Sequence, residues 1–323
     1  MAEVAEAAGN LPRMRIDELL SREEPCFSFE FFPPKDAEGA RTLFETIRTL
    51  AALEPGFVSV TYGAAGSTRD GTVEICTRIK KDAGLETMAH LSCVGETIEG
   101  LETILGSLEE AGVENVLALR GDPPRGETDF VPPPGGLESS ADLAAFIAGR
   151  HPWAIGGASF PEVHPEAESR VADIEFLKRK VDSGANFLIT QLFFDNGIFF
   201  DWLTDVRAAG IDVPIVAGIL PVTSYAGLKR FCEICEAKIP ERLDHALAAC
   251  GGDVEAEYEL GIAYATRQCE ELLGEGVAGI HFYTLNRSPA TRAVLGALRA
   301  GRPWLRAGGG NRAAIGAGLG ITP

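Results

Sequence analysis

Residues 26–35, CFSFEFFPPK, place one acid, Glu30, inside a run of residues that favour β-strands, and two prolines end the run. The stretch predicts a strand over 26–32 that is suited to burial. Burying an isolated charged side chain is unfavourable. A carboxylate near the end of a buried strand therefore indicates a functional role for that residue. Glu30 is therefore the first candidate functional residue.

Runs of the same kind recur along the chain and alternate with amphipathic segments of helical periodicity. The runs are apolar on both faces, as buried parallel strands are. Eight such β/α units in about 280 residues match the size of a single TIM barrel. The predicted strands are CFSFEFF (26–32), FVSVTY (57–62), TMAHLSC (87–93), NVLALR (115–120), AIGGASF (154–160), FLITQLF (187–193), PIVAGIL (214–220) and GIHFYTL (279–285).

The predicted architecture is one α/β domain, a (β/α)8 TIM barrel over 23–303, with extra helices before the last strand. An N-terminal arm (1–22) precedes the barrel, a glycine-rich flexible tail (304–323) follows it, and 123–136 is predicted to be a long loop. The segment 253–276 predicts a helix of several turns. The alternative, a doubly wound sheet, would need G-x-G-x-x-G after an early strand, and the chain lacks it.

The composition of the chain indicates which kinds of binding partner and which cellular compartment to expect. The formal net charge of -18 argues against nucleic acid or an anionic membrane surface. No apolar stretch approaches the roughly 20 residues of a membrane-spanning helix, and the first 15 residues do not resemble a signal peptide. Seven scattered cysteines indicate reduced thiols in a cytoplasm. Cys232 and Cys235 form a C-x-x-C within a helical pattern, which is more typical of packing than of metal binding or redox chemistry.

Polar residues follow or end most of the predicted strands, at the barrel face where chemistry is expected. No H-E-x-x-H, metal-ligand cluster or G-x-S-x-G accompanies them, so metal hydrolysis and serine-type acyl transfer are disfavoured. His151 and His245 are interpreted as surface or loop residues, and His281 as a core residue. The strand-end residues are Glu30, Thr61, His90, Arg120, Asp122, His164, Gln191, Asn286 and Arg287.

Seven motifs, in order, carry a resemblance to a known family. They are FSFEFFPPK, VSVTYGAAGSTRD, ALRGDPP, PEVHPEA, KRKVDSGANFLITQLFFD, GILPVTSY and HFYTLNR. Together they resemble the flavin-binding barrel of methylenetetrahydrofolate reductase, of the short bacterial type, from about residue 23 to 303. The resemblance implies reduction of 5,10-methylenetetrahydrofolate to 5-methyltetrahydrofolate by NADH or NADPH, ping-pong through FAD, in one-carbon and methionine metabolism.

The resemblance also implies roles for individual residues. Glu30 matches the proton donor, and its setting between Phe29 and Phe31 favours a neutral, proton-carrying acid. Asp122 matches an acid near the flavin pyrimidine edge. Positions that match FAD contacts are Thr61, His90, Leu119, Arg120, Gly121, Asp122, Phe160, His164, Asp173, Arg179, Lys180 and Ala185. Positions that match substrate contacts are Glu30, Gln191, Tyr225, Leu285 and Arg287.

Two departures leave alternatives open. Phe160 stands where relatives commonly have a tyrosine against the flavin, and Phe176 occupies a place that is polar in some relatives. A flavin-free reductase is therefore an alternative. Independently of these positions, a reductase with a protein electron donor, a folate-binding methyltransferase barrel and a non-catalytic scaffold are further alternatives. The resemblance implies no metal, a cytoplasmic enzyme and a homo-oligomer, either dimer or tetramer, with the choice between NADH and NADPH open.

Overall fold

The computed structural model describes residues 14–34, 36–62, 69–122 and 131–305. Eight parallel strands form a closed barrel in chain order, which confirms the predicted (β/α)8 architecture. Every predicted strand is present, and each ends one to three residues earlier than predicted. The strands are β1 (Cys26–Phe31), β2 (Phe57–Val60), β3 (Thr87–Ser92), β4 (Asn115–Leu119), β5 (Ala154–Ser159), β6 (Phe187–Thr190), β7 (Ile215–Ile219) and β8 (Gly279–Tyr283).

Helices follow the strands. Three of them, α8 to α10, lie between β7 and β8, which confirms the extra helices predicted before the last strand, and α10 corresponds to the predicted helix at 253–276. A π-helical turn, Ile79–Ala83, extends α3. The helices are α1 (Ile16–Leu20), α2 (Ala37–Ala51), α3 (Arg69–Arg78), α4 (Ile98–Glu110), α5 (Ser140–Ala148), α6 (Arg170–Asp182), α7 (Asn196–Ala208), α8 (Tyr225–Cys235), α9 (Glu241–Ala249), α10 (Val254–Gly274) and α11 (Pro289–Gly301).

Side-chain caps explain where many of the helices begin. The side chain of the residue before each of six helices accepts a hydrogen bond from a backbone N–H of the first turn, which has no partner within the helix. Such a cap stabilises a helix by about 1 kcal/mol. The capping residues are Asp36, Thr97, Ser139, Asp195, Ser224 and Asp253.

The chain divides into two compact units. The first takes in residues up to Leu19, Ser28–Ala158 and Arg179–Phe187. It contains β2, β3 and β4 with most of β1 and β5, paired in register. Helix α1 is anchored to it because the Ile16 N–H donates to Asn115 Oδ1 at 2.9 Å.

The second unit comprises Leu20–Phe27, Ser159–Lys178 and the chain from Leu188 onward. The Cys26 N–H donates to the Ala278 carbonyl oxygen at 3.0 Å, which joins the start of β1 to the segment entering β8. A buried apolar cluster, here called the α8–α9 cluster, packs beside β6 and β7. Its members are Leu192, Phe194, Leu220, Val222, Leu228, Cys232, Leu243 and Leu247.

The terminal segments predicted at 1–22 and 304–323 fall largely outside the described residues, which include only 14–22 and 304–305 of them. Residues 123–130 of the predicted loop at 123–136 also lie outside; 131–136 contain no helix or strand. The domain boundaries stay a prediction. Within the described part of the chain, no helix has the length and apolar character needed to cross a membrane.

Candidate active site

Glu30 points into the barrel. Successive side chains of a strand face opposite sides, and Phe27 packs against the ring of Trp304, in the turn after α11, with ring centroids 5.8 Å apart. The face of β1 that carries Phe27 is therefore the outer one, and Ser28 and Glu30 lie on the inner face. The Glu30 side chain is almost fully buried, with the residue 6% exposed.

His90 of β3 lies beside Glu30. Its Nε2 lies 3.5 Å from Glu30 Oε2, and His90 is likewise 6% exposed. The two residues are on strands that both pair with β2, so the barrel register brings them together although they are far apart in the sequence. The sequence predicted His90 as a FAD contact; its place beside the acid was missed, because period-two alternation does not show which strands are neighbours.

The Arg120-Gly121-Asp122 turn at the end of β4 has a conformation that requires glycine. Gly121 has φ +88°, and a Cβ there would overlap the Ser92 hydroxyl and the Val94 side chain. The Ser92 hydroxyl and the Val94 N–H both donate to the Arg120 carbonyl oxygen, at 2.9 and 3.0 Å. The turn is thus held against the exit of β3, and it presents Asp122 as an exposed carboxylate.

Thr61 and Leu119 lie at the ends of β2 and β4, which flank β3 in the same unit. The Thr61 N–H donates to the Phe31 carbonyl oxygen at 2.9 Å, and the Cys93 N–H donates to the Leu119 carbonyl oxygen at 3.2 Å. These bonds continue the ladders beyond the last strand residues. Both predicted FAD contacts are therefore on backbone that the barrel fixes.

After β5, the segment that carries Phe160 and His164 is compact and strained. Val163 has φ +75°, a left-handed conformation that is unfavourable for a β-branched residue. The ring of Phe160 packs edge-on against His164 at 4.5 Å. The His164 N–H donates to buried Asp173 at 3.2 Å, and His164 Nδ1 accepts from the Glu166 N–H at 3.1 Å. Three predicted FAD residues are thus brought together.

Two predicted FAD contacts on α6, Arg179 and Lys180, have protein partners. Arg179 Nη2 pairs with Asp142 Oδ1 at 2.9 Å, and its side chain is 58% exposed. Lys180 is buried, and its Nζ donates to the Ala158 carbonyl oxygen at 2.8 Å, near the carboxyl end of β5. Ala185, by contrast, is buried two residues before β6, at the amino end of the strand, and is not grouped with the strand-end residues.

Gln191 directly follows β6 in the second unit. Its N–H donates to the Ser159 carbonyl oxygen at 2.7 Å, and its side-chain Oε1 accepts from the Leu192 N–H at 2.9 Å. The amide is thereby oriented with Oε1 toward the backbone. The Nε2 group, which has no hydrogen-bond partner among the described residues, is available to donate to a ligand.

Tyr225 is the first residue of α8 and is half-buried against the α8–α9 cluster. Its hydroxyl donates to Asp244 Oδ1 at 2.6 Å, and its N–H donates to Glu257 Oε2 at 2.9 Å. Lys229 Nζ lies 3.8 Å from the centre of the Tyr225 ring. Asp244 and Glu257 were not singled out from the sequence, and no short motif marks them.

Leu285 and Arg287 follow β8. Leu285 packs against the α8–α9 cluster, as Tyr225 does, and has φ +52°. Arg287 is exposed, and its guanidinium has no ion-pair partner within the described ranges. An unpaired cation at this position suits an anionic or carbonyl group of a ligand.

The remaining histidines lie as predicted: His281 is fully buried, His245 is exposed, and His151 lies in a loop. Burial raises the pKa of the Cys232 thiol to about 12, so the C-x-x-C supplies no reactive thiolate from that residue. No group of three or more His, Cys, Asp or Glu side chains in the described segments is arranged to hold a metal ion.

A closed barrel with a buried acid on β1 and polar side chains after the other strands defines the class of (β/α)8-barrel enzymes. The family model described as methylenetetrahydrofolate reductase matches residues 15–299. The chain belongs to the methylenetetrahydrofolate reductase family.

Relatives of known name support this assignment. The chain is 40% identical over 269 residues to 5,10-methylenetetrahydrofolate reductase of Salmonella typhimurium, covering 83% of this chain and 88% of that protein. It is 39% identical over 292 residues to methylenetetrahydrofolate reductase (NADH) 1 of Arabidopsis thaliana, covering 87% of this chain. The chain spans about half the length of the plant relative, 49%, so the match concerns only part of that protein.

Solved structures also resemble this fold, and one of them is informative by its description. It is an uncharacterized protein from Clostridium thermocellum, described as binding two copies of 5-methyl-5,6,7,8-tetrahydrofolic acid. The TM-score is 0.61 over 90% of this chain and 99% of that one. At 17% sequence identity the likeness shows the fold alone.

Proposed function

We propose that this chain reduces 5,10-methylenetetrahydrofolate to 5-methyltetrahydrofolate, with NADH or NADPH as reductant and FAD as cofactor, by a ping-pong scheme in one-carbon and methionine metabolism. The observation that carries the proposal is the buried pair of Glu30 and His90 on the inner face of the barrel, 3.5 Å apart, in a chain of this family. A general acid is the one protein group that this reduction requires, because opening the methylene bridge protonates a poorly basic amine nitrogen.

Glu30 supplies that proton from its carboxyl oxygen. Its 6% exposure keeps bulk water away from the acid, so the proton goes to the substrate rather than to solvent. His90 Nε2 lies 3.5 Å from Glu30 Oε2, at ion-pair distance from the acid. Phe29 and Phe31, on the opposite face of β1, lock the strand into the wall of the barrel through their complete burial.

The donor chemistry of the predicted cofactor residues fits a flavin dinucleotide. His164 accepts at Nδ1, which leaves Nε2 as the protonated nitrogen of the neutral ring and a donor to ribose or phosphate oxygens. Arg179 adds an exposed cation, and the half-buried Phe160 ring offers an apolar face. When bound, FAD supplies the hydride chemistry, passing two electrons from the nicotinamide to the one-carbon unit.

The other residues proposed to contact the cofactor lie on backbone that is held in place by hydrogen bonds. Gly121 forms the tight turn that presents Asp122, whose negative charge disfavours extra negative charge on a nearby ring. Thr61 and Leu119 lie at the ends of β2 and β4, on either side of β3, and Asp173 ties the His164 backbone to the first turn of α6. Together these residues position the cofactor, and none of them needs to move a proton.

Gln191, Tyr225, Leu285 and Arg287 bind the folate. The oriented Gln191 amide donates through Nε2 to the pterin edge. Tyr225 and Leu285, which pack on one apolar cluster, offer adjoining surfaces for a ring. Arg287 receives a carboxylate or carbonyl oxygen of the substrate.

The test is the visible absorption spectrum of the purified protein, before and after anaerobic addition of NADH or NADPH and then of methylenetetrahydrofolate. We expect a flavin spectrum that one of the nicotinamides bleaches and the folate restores. In Glu30→Gln, the nicotinamide should still bleach the flavin. The folate should restore the flavin absorbance at less than about one hundredth of the wild-type rate, because general acids contribute 10²- to 10⁴-fold.

Glu86→Gln is the matched control, since Glu86 is a largely buried carboxylate at the amino end of β3, ion-paired with Lys80 at 2.5 Å. The flavin absorbance of Glu86→Gln should be bleached and restored at the wild-type rates. Loss of both half-reactions in Glu30→Gln would contradict the general-acid role. A colourless protein that takes up no added FAD but still reduces the folate would replace the flavin scheme with a flavin-free one. Reduction by a protein donor alone would overturn the nicotinamide assignment, and no folate reduction with any donor would overturn the proposal.

A further inference from the structure

The segment between β7 and β8 is longer than a single β/α connection needs, because it runs through three helices. Helices α8, α9 and α10 follow one another between β7 and β8. The second and third of them, α9 and α10, each send a carboxylate to the first residue of α8, Tyr225. Their convergence on one aromatic side chain is a feature that the barrel architecture by itself does not require.

Glu257 holds the backbone of Tyr225. Its Oε2 accepts from the Tyr225 N–H at 2.9 Å, and Glu257 is 7% exposed. Tyr225 is the first residue of α8, so this N–H is one of the donors that a helix leaves without an internal partner. A carboxylate at that end also interacts favourably with the helix dipole. Glu257 therefore acts as a cap that α10 provides for α8.

Helix α10 can approach this closely because the residue one turn further on is Gly261. A Cβ at Gly261 would overlap the carbonyl oxygen of Val222, in the segment that leads into α8. Glu257 and Gly261 are four residues apart and thus lie on the same face of α10. That face is in contact with the β7–α8 segment at two points.

Asp244 holds the side chain of Tyr225. The hydroxyl donates to Asp244 Oδ1 at 2.6 Å, a length typical of a hydrogen bond to an ionised carboxylate. Lys229, one turn along α8, lies over the ring at 3.8 Å. The phenol is therefore held at its oxygen by Asp244, and its ring is half-buried against the α8–α9 cluster.

We propose that Asp244 and Glu257 are positioning residues that fix the Tyr225 ring as a preformed surface for the planar ring of the substrate. The inference rests on the proposed function, since it assigns the ring surface to the same site. A ring held before the substrate arrives loses less conformational freedom on binding. The ring lies against substrate and transition state alike, so its displacement weakens binding without slowing the chemical step.

The experiment is a double-mutant cycle in steady-state kinetics with Asp244→Ala, Tyr225→Phe and the double variant. We expect each single variant to raise KM for the ring-bearing substrate about 3- to 10-fold, the range of a lost hydrogen bond, with kcat within about twofold. In the Tyr225→Phe background, Asp244→Ala should raise KM no further. Asp244→Asn, which keeps an acceptor for the hydroxyl, should stay within about twofold of wild type.

Two controls separate positioning from helix stability. Glu241→Ala on α9 and Glu259→Ala on α10 remove exposed carboxylates of the same helices, and neither should change KM. Glu257→Gln should retain KM because the amide oxygen still accepts from the Tyr225 N–H, whereas Glu257→Ala should raise it. An equal rise in KM for Asp244→Ala with and without the Tyr225 hydroxyl would overturn the proposal.

A readout that does not depend on turnover distinguishes this inference from the proposed function. The chain has five tyrosines, so 3-fluorotyrosine labelling gives five fluorine resonances, and Tyr225→Phe identifies the relevant one. Asp244→Ala should shift or broaden that resonance and Asp244→Asn should change it less. An unchanged resonance would refute the contact even in an active enzyme, while an inactive wild type with the expected shifts would refute only the proposed function.

Discussion

Glu162 is a carboxylate whose environment disfavours its charge. Burial raises its pKa, an effect to which Asp195 adds, while the backbone N–H and the ammonium of Lys238 act in the opposite direction. Oε2 accepts from the Lys238 N–H at 2.9 Å, and Oε1 is buried without a partner among the described residues. The residue stands immediately before strained Val163, in the segment that carries His164. Local strain and an unfavourable charge are thus adjacent in a predicted cofactor site, where such features concentrate.

Glu162→Gln should therefore change how stability depends on pH. A carboxyl group with a raised pKa in the folded state contributes stability that is fully present below its unfolded value and is lost as the pH rises through the folded value. At pH 7 the glutamine variant, which has no charge to bury, should melt roughly 1–3 °C above wild type. The difference should shrink as the pH falls toward the unfolded pKa of the carboxyl group, because protonation removes the buried charge from wild-type Glu162.

Calorimetric melting of the cofactor-free protein between pH 5 and 7 measures this effect. Glu168→Gln, at an exposed neighbouring position, gives the background for removing one surface charge. A difference that grows toward pH 5 would show that the carboxylate stabilises the fold and that its burial is not the dominant influence.

At the scale of elements, the packing of α10 on the β7–α8 segment depends on one missing methyl group. Gly261→Ala would place a Cβ against the Val222 carbonyl oxygen, and backbone on both sides prevents easy relief. We expect a loss of about 1–3 kcal/mol in the free energy of unfolding, typical of overpacking. Gly106→Ala is the matched control, because Gly106 lies inside α4 and an added Cβ would meet no described atom within 4 Å.

The control, Gly106→Ala, should raise the free energy of unfolding, whereas Gly261→Ala should lower it. Alanine in an open helix interior stabilises by about 0.5–1 kcal/mol relative to glycine. Urea titrations of both variants give the comparison directly. Equal stabilisation by the two substitutions would mean that α10 can shift away from the β7–α8 segment without loss, and the contact at Gly261 would not be structurally important.

The eight strands were predictable from sequence to within a few residues. β6 was predicted as 187–193 but ends at Thr190, because Leu192, Phe193 and Phe194 are buried by packing rather than by strand pairing. Apolar periodicity reports burial and cannot separate these two causes. The strand-end positions of Glu30, Gln191 and Arg287 followed from the barrel, whereas the contacts of Tyr225 did not. Its two carboxylate partners are 19 and 32 residues away on helices whose placement no local pattern encodes.

At the scale of the whole molecule, the fold divides the seven cysteines into two accessibility classes. Five are buried, Cys26, Cys76, Cys93, Cys232 and Cys269, while Cys235 and Cys250 are half-buried. Burial raises the pKa of each of the five, for Cys26 and Cys93 to about 12. Because the thiolate is the reactive species, the folded chain should protect these thiols both sterically and chemically.

Titration with the aromatic disulfide reagent DTNB at pH 8 measures this protection. We expect at most two fast-reacting thiols in the native protein and all seven in denaturant, since no cysteine is in a disulfide. Cys235→Ser and Cys250→Ser should each remove one fast equivalent, and together they should leave a native protein that reacts only as slowly as it opens. Three or more fast thiols would show that part of the barrel opens readily under native conditions. The variant that removes the extra equivalent would then locate the opening, with Cys76 and Cys93 reporting on the first unit and Cys26, Cys232 and Cys269 on the second.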